Sequence, residues 1–458
     1  MPKFTIWEER KSGAAAVAEG HAAGGKLQRK ARNLDGLARL VSEYIPPEIF
    51  AGERERVYSP WVTFVAFLGQ VLTRGSACRE SVRRVQSWCV ADRLPLPDEN
   101  TSGYCQARGR LDVEQVKEAH EHILQWFEER RAPARWRGRL IRVLDGCGVS
   151  MPDTAENRKK WPYAGGQKPG CGFPTAQLVG LFCLATGRLV RFAFADWKAH
   201  EIPLARKLIA WIQPQEIVLA DRAYCGWGFM ALLQRKKVDI VLRLHQARRT
   251  REGRVCWAKP QRKTETWDKA LWAELPDELQ LRVVTFRVEV KGFRTKEVTV
   301  VTTLLDEQHY PHSAIAELYR QRWSVELFFR EIKTTLGLDV LRCQSPDLIE
   351  KEVWMQVIAY NVVRALMLAA AKAHRVPVDR LSFKGTVDTL RQWTPLLAPA
   401  LFVSRVARKE LLRVIAADQL PFRPNRSEPR ACKRRPKGYQ LLTRPRHQMV
   451  VSPSRDLK

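Results

Sequence analysis

Residues 318–338, LYRQRWSVELFFREIKTTLGL, repeat apolar side chains at helical spacing and set a carboxylate among cations. Advancing about 100° per residue from Tyr319, a helix puts Arg322 at ~300°, Glu326 at ~340° and Lys333 at ~320°. The four share a stripe about 60° wide, whereas Glu331 falls at ~120°, on another face. An Arg–Glu pair at i,i+4 on a solvated helix face would show the same spacing. Trp323 and Phe329 flank the stripe and argue for partial burial. A carboxylate grouped with two cations and a phenol suits a place where phosphates and a metal ion meet.

Upstream, strands and helices alternate, as in a mixed α/β sheet with early hairpins and later crossovers. RLIRVLD (139–145) reads as a short buried strand, and AQLVGLFCLATGRLVRFAFAD (176–196) as two strands around a Thr-Gly turn. HEIPLARKLIAWI (200–212) reads as a helix and QEIVLAD (215–221) as a strand. A helix from about Gly226 to Lys236 and a strand at VDIVLRL (238–244) follow. Asp145 and Asp221 each end an apolar strand, where open α/β sheets bind their ligands. One such Asp is equally a helix cap or turn residue. Two, on strands able to neighbour one another, say more. With Glu326 they form a set of three carboxylates suited to phosphodiester chemistry, in which two divalent ions about 4 Å apart activate the attacking oxygen and stabilise the leaving one. Mg²⁺ takes oxygen ligands and keeps several waters, so three protein carboxylates suffice.

Residues 245–296 break the alternation and read as a β-rich insertion, before EVTVVTTLL (297–305) returns to the core sheet and a long helix runs from about Ser313 to Leu336. The insertion holds Trp257, Trp267 and Trp272. Trp257, before Ala258-Lys259-Pro260, reads as a loop residue able to stack on an unpaired base, and Trp267 and Trp272 read as packing; the alternative is that all three pack the insertion's own small core. Residues 34–135 show helical periodicity, and SACRESVRRVQSW (76–88) exposes Arg79, Arg83 and Arg84 either to a DNA groove or simply to solvent. The chain thus divides into a flexible segment 1–33, a helical domain 34–135, a core in two parts 136–244 and 297–372 around the insertion 245–296, a helical region 373–420 and a basic tail 421–458. Arg423 to Arg446 carries nine Lys/Arg, among them Lys433, Arg434 and Arg435, against one acid, Glu428, and suits a phosphate backbone.

The whole chain agrees with that charge. Its 458 residues hold 78 Lys plus Arg against 49 Asp plus Glu, a formal net charge of +29 that draws polyanions. The hydrophobic share of 45% supports packed cores and excludes a disordered protein. Ten cysteines show no CxxC pair and no zinc spacing, and read as reduced thiols of a cytosolic protein. The N-terminus lacks the apolar core of a signal peptide, and Asn361 and Arg364 interrupt the apolar run 357–371, so no membrane span is expected.

The spacing Tyr319-x₂-Arg322-x₃-Glu326-x₆-Lys333 resembles the YREK signature of a family of bacterial insertion-sequence DDE transposases. DGCGVSMPDTAENRKKWPY (145–163) is similar to that family's first-Asp block and LADRAYCG (219–226) to its second. The likeness covers roughly residues 34–446. It implies an α/β fold with an RNase H-like catalytic core, a β-rich insertion and a preceding helical DNA-binding domain. It assigns the metal to Asp145, Asp221 and Glu326, and phosphate contacts to Tyr319, Arg322 and Lys333. It further implies cut-and-paste transposition, often through a hairpin, with two Mg²⁺ ions for which Mn²⁺ can substitute. The partners would be double-stranded DNA, at terminal inverted repeats and target, and a second copy of the chain in the synaptic complex, in the bacterial cytoplasm at the nucleoid. Two other readings keep parts of this pattern: an RNase H-like nuclease without strand transfer, and a DNA-binding protein that has lost activity. The intact acidic set argues against the second, because carboxylates repel phosphate unless a metal is present.

Overall fold

The computed structural model describes residues 36–421, apart from short gaps at 53–55, 92, 131–134, 165–169, 246–247, 249, 262–266, 288–296 and 398–400, and also residues 442–445 and 448–449. The segment 1–33 and the tail cations Lys433, Arg434 and Arg435 lie outside the described residues.

Eight described strands form one sheet. They are β1 (Ile141–Ser150), β2 (Thr175–Cys183), β3 (Leu189–Asp196), β4 (Ile217–Ala220), β5 (Asp239–Arg243), β6 (Gly253–Ala258), β7 (Glu278–Arg287) and β8 (Glu297–Thr302). Their order is β3-β2-β1-β4-β5-β8-β7-β6. Only β1–β4 and β4–β5 pair in parallel; the other pairs are antiparallel. All of IVLA in β4 is buried, as a central parallel strand covered on both faces requires.

Two sequence expectations change form here. β1 does not stop at Asp145. It runs on to Ser150, because β2 supplies an antiparallel partner for every residue from Asp145, opposite Gly180, to Ser150, opposite Thr175. Gly146 and Gly148 interrupt the apolar pattern there and hide the extension in the sequence. The strands of 245–296, β6 and β7, do not form a sheet of their own; they join the edge of the central sheet through β8.

Helices cover both faces. On one side lies α1 (Gly36–Val41), α2 (Pro60–Leu72), α3 (Cys78–Ala91), α4 (Ser102–Arg110) and α5 (Val113–Arg130), gathered around a long helix. After α6 (Ala155–Lys160) come α7 (Glu201–Leu208) and α8 (Trp227–Arg235), whose Leu204, Leu208, Phe229 and Leu233 fill the core on the opposite face. α9 (Lys269–Ala273), α10 (His312–Arg320) and α11 (Ser324–Arg330) precede the long helix, α12 (Pro346–His374), which α13 (Phe383–Leu397) and α14 (Leu401–Ala417) follow.

α12 packs on α2, α5, α13 and α14. It is long and apolar enough to cross a bilayer, yet 83% of its most apolar window is buried inside the protein. A helix apolar all round is the expected core of such a bundle. Its polar interruptions are clasps. Asn361 accepts the Leu189 N–H (3.0 Å) and donates to the Leu189 carbonyl (2.9 Å), pinning the start of β3 to the helix. Tyr360 donates to the Gly187 carbonyl (2.6 Å) in the β2–β3 turn, where Gly187 has φ +70°. The guanidinium of Arg364 donates to the Tyr360 hydroxyl (3.0 Å), lies over the Phe328 ring (4.8 Å) and pairs with Glu331.

Arg364→Ala should therefore cost about 3–5 kcal/mol, since it strands the buried Glu331 carboxylate. Arg364→Met with Glu331→Leu should cost much less than the sum of the two single changes, because an apolar pair removes both charges. Urea unfolding checks this; a loss below about 1 kcal/mol for Arg364→Ala would make the pair incidental.

Candidate active site

Asp145 and Asp221 come together at the ends of neighbouring parallel strands. The β1–β4 register closes at Leu144 opposite Ala220, so the next residue on each strand is one of the two aspartates. Asp145 shares its face of β1 with Val143 and Cys147, which pack in the core that α11 and α12 cover. Its carboxylate accepts the Gly146 N–H (2.9 Å). Asp221 closes β4 and accepts the Ala223 N–H (2.8 Å), starting the turn toward α8.

Burial pushes the Asp145 carboxyl up to about 6; the negative charges of Asp221 and Glu201 add to the rise, against the Gly146 N–H and the Arg322 guanidinium. A half-buried carboxylate beside two others is an arrangement that a divalent cation would relieve, and all-oxygen donors suit a hard ion. Among the described residues, however, no three His, Cys, Asp or Glu side chains converge closely enough to grip one.

The stripe of residues 319–333 is not one regular helix. α10 ends at Arg320, a 3₁₀ turn spans Gln321–Trp323, α11 follows, and a π turn spans Glu331–Leu336 before Gly337 (φ +98°) ends the run. Uniform α geometry therefore does not hold from Tyr319 to Lys333, and π turns of this kind recur at functional sites. The four residues nevertheless meet the strand ends. Tyr319 is 1% exposed and its hydroxyl donates to the Ala220 carbonyl (3.5 Å), next to Asp221. Burial raises that phenol to about 12. Arg322 is 6% exposed, acts on Asp145, and reaches the Glu326 carboxylate at 3.5 Å. Its guanidinium thus links the second core part's carboxylate to the first's. The Glu326 side chain is 65% exposed and open to a ligand. Lys333 is half-buried and acts electrostatically on Cys147, two residues beyond Asp145 on the same face.

The remaining candidates stand elsewhere. Trp257 lies on the edge strand β6 rather than in a loop; its carbonyl accepts from Trp227 (3.1 Å), Arg248 lies over its half-buried ring (5.6 Å), and it packs against the α7–α8 core. Trp267 and Trp272 form an edge-to-face pair (5.5 Å), as packing residues do. In α3, Arg79 and Arg83 are exposed, and Arg83 pairs with Glu99 (3.3 Å). Arg84 is tucked across Gly69 of α2, where a Cβ would meet its Nη1 at 1.5 Å. Sequence reading passed over Glu201 and Tyr224, both neighbours of the aspartates. A Glu opening a helix is commonplace, so nothing in the sequence singles it out.

Residues 136–362 match the family described as "Transposase DDE domain". Transposase InsG for insertion sequence element IS4 from Escherichia coli K12 is 27% identical over 387 residues, 81% of this chain and 84% of that protein. The probable transposase for insertion sequence element IS5377 of Geobacillus stearothermophilus is 33% identical over 102 residues, 22% of this chain and 25% of that protein. A cryo-EM structure of a piggyBac transposase synaptic complex with hairpin DNA superposes over 86% of each chain, with 10% identity and a TM-score of 0.42, too distant a likeness to support anything further. The enzyme is a DDE transposase. It is the transposase of an insertion sequence, and enzymes of this class need divalent metal ions.

The raised Asp145 pKa has a stability consequence. A carboxyl whose folded pKa lies above its unfolded value of 3.8 contributes stability below about pH 4 and loses it as pH rises through about 6. In metal-free buffer, Asp145→Asn should stabilise the protein by about 1–3 kcal/mol at pH 7.5 and by little at pH 4. Thermal unfolding at the two pH values measures it; equal effects at both would place Asp145 in a solvated setting.

Proposed function

We propose that the enzyme carries out cut-and-paste transposition: hydrolysis at the element ends, then strand transfer of the freed 3′ hydroxyl into target DNA. The observation that carries this reading is the docking of the Tyr319–Arg322–Glu326 run on the strand ends bearing Asp145 and Asp221, with Arg322 acting on one carboxylate and 3.5 Å from another. Asp145, Asp221 and Glu326 would hold two Mg²⁺ ions, or Mn²⁺ in their place. When bound, such ions lower the pKa of an attacking water and neutralise charge on the leaving oxygen. Arg322 and Lys333 bind phosphate oxygens beside the scissile bond, and Tyr319 fixes the strand end that carries Asp221.

The order β3-β2-β1-β4-β5, with two antiparallel and two parallel pairings, supports an RNase H-like core interrupted by the segment 245–296. The helical region 34–135 and the basic tail are DNA-binding elements on this reading, with Arg83, Trp257 and the tail cations as contacts. The net charge of +29 supports that. Synapsis of two element ends calls for a homodimer, in the cytoplasm at the bacterial nucleoid.

Asp145→Asn, Asp221→Asn and Glu326→Gln should each abolish strand cleavage in Mg²⁺ while leaving DNA binding largely intact. Near wild-type cleavage by any one removes that residue from the metal set. Lys333→Ala should weaken end binding and lower the salt slope by about one phosphate contact. An unchanged slope would make Lys333 a residue of the surface alone.

A further inference from the structure

The strand ends have a second acidic approach, from the side of the sheet that α11 does not occupy. At the end of β3, Asp196 accepts the N–H groups of Lys198 (2.8 Å) and Ala199 (3.2 Å), a tight turn that opens α7 at Glu201. Glu201 leans over β1. A Cβ on Gly146, the residue after Asp145, would lie 2.6 Å from its carboxylate oxygen, so the glycine makes room for it. Gln177 of β2 donates to the same oxygen (3.0 Å) and fixes its direction. The following residue, Ile202, packs against Gly226 beyond Asp221, seating α7 across both strand ends.

Among the described residues Glu201 makes no ion pair, although burial and the charge of Asp221 both hold its carboxyl above the usual range. A group set there only to cap a helix would turn toward water. The Tyr224 hydroxyl is a separate sign of something missing. It is fully buried and faces Glu201, Asp145 and Asp221; the Glu201 carboxylate is its hydrogen-bonding neighbour, but not at well-formed geometry, which leaves the hydroxyl incompletely satisfied. Buried hydroxyls normally have partners, and a hydrated ion among these carboxylates would supply one.

We propose that Glu201 is a fourth carboxylate of the metal-binding set, reaching the strand ends from the face of the sheet opposite Glu326. This rests on the metal-dependent reading of the same site. Asp145 then stands between two carboxylates on opposed helices, α7 and α11, which would have to draw in around the ions to hold them from both faces.

The test is Mn²⁺ titration of the full-length protein by calorimetry, paired with thermal unfolding in metal-free buffer. Glu201→Gln should weaken Mn²⁺ binding about tenfold or more, the loss typical of groups that support a metal site. Its metal-free unfolding temperature should stay level or rise, since one of several repelling carboxylates has gone. Gln177→Ala removes the same hydrogen bond but keeps the carboxylate, and should lose far less affinity. Wild-type affinity in Glu201→Gln, or an equal loss in Gln177→Ala, would overturn the proposal and make Glu201 a brace for β2. Asp145→Asn in the same titration separates the two readings. If it keeps full affinity, the metal site itself is wrong; if it loses affinity while Glu201→Gln does not, only the fourth carboxylate is.

Discussion

The site depends on a buried guanidinium. Arg364 sits inside the helical core, among the rings of Phe328, Tyr360 and Phe383, and its charge is met by Glu331 at the start of the π turn. Burying an ion without its counterion costs several kcal/mol, so the two residues must stay together. Glu331 lies five residues after Glu326 on the same run of helix. Holding Glu331 in the core therefore fixes how the run is rotated, and that rotation aims Arg322 at Asp145 and leaves Glu326 at the surface. Tyr360, whose hydroxyl joins Arg364 to the β2–β3 turn, ties the same clasp to the sheet.

Beside this satisfied charge stands an unsatisfied one. Asp145 is half-buried next to Asp221 and Glu201, and Arg322 is the cation that offsets it. The fold thus compensates one buried ion fully and leaves a group of carboxylates in mutual repulsion, a strain tolerated where a ligand will be bound. On the proposed reading, neutralising them should stabilise the metal-free fold and disable the chemistry, the usual opposition of stability and activity at a site of like charges.

Much of this was legible in the sequence. The strands at 139–145, 176–196, 215–221 and 238–244 alternate or run apolar as buried strands do, and both aspartates close apolar runs where the parallel pairing ends. The Tyr319, Arg322, Glu326 and Lys333 spacing marked the run that docks there. What was hidden was non-local. The extension of β1 past Asp145 is written in β2, since Gly146 and Gly148 give no strand signal of their own. The placement of Trp257 on β6 follows from its pairing with Leu279 of β7, although Lys259 and Pro260 nearby look like loop. Asn361 and Arg364 break the apolar run of α12 for reasons visible only in their partners, Leu189 and Glu331. Glu201 reaches the site through a glycine 55 positions earlier in the chain, a contact that no periodicity encodes.

Where divalent ions bind decides the chemistry of this site. Anomalous diffraction at the manganese edge, from crystals of the protein with cleaved element-end DNA and Mn²⁺, addresses it directly. The account predicts anomalous density between the Asp145 and Asp221 carboxylates, with Glu326 as a further ligand. Manganese held by the DNA or by other side chains, with the Asp145 and Asp221 carboxylates unliganded, would contradict it.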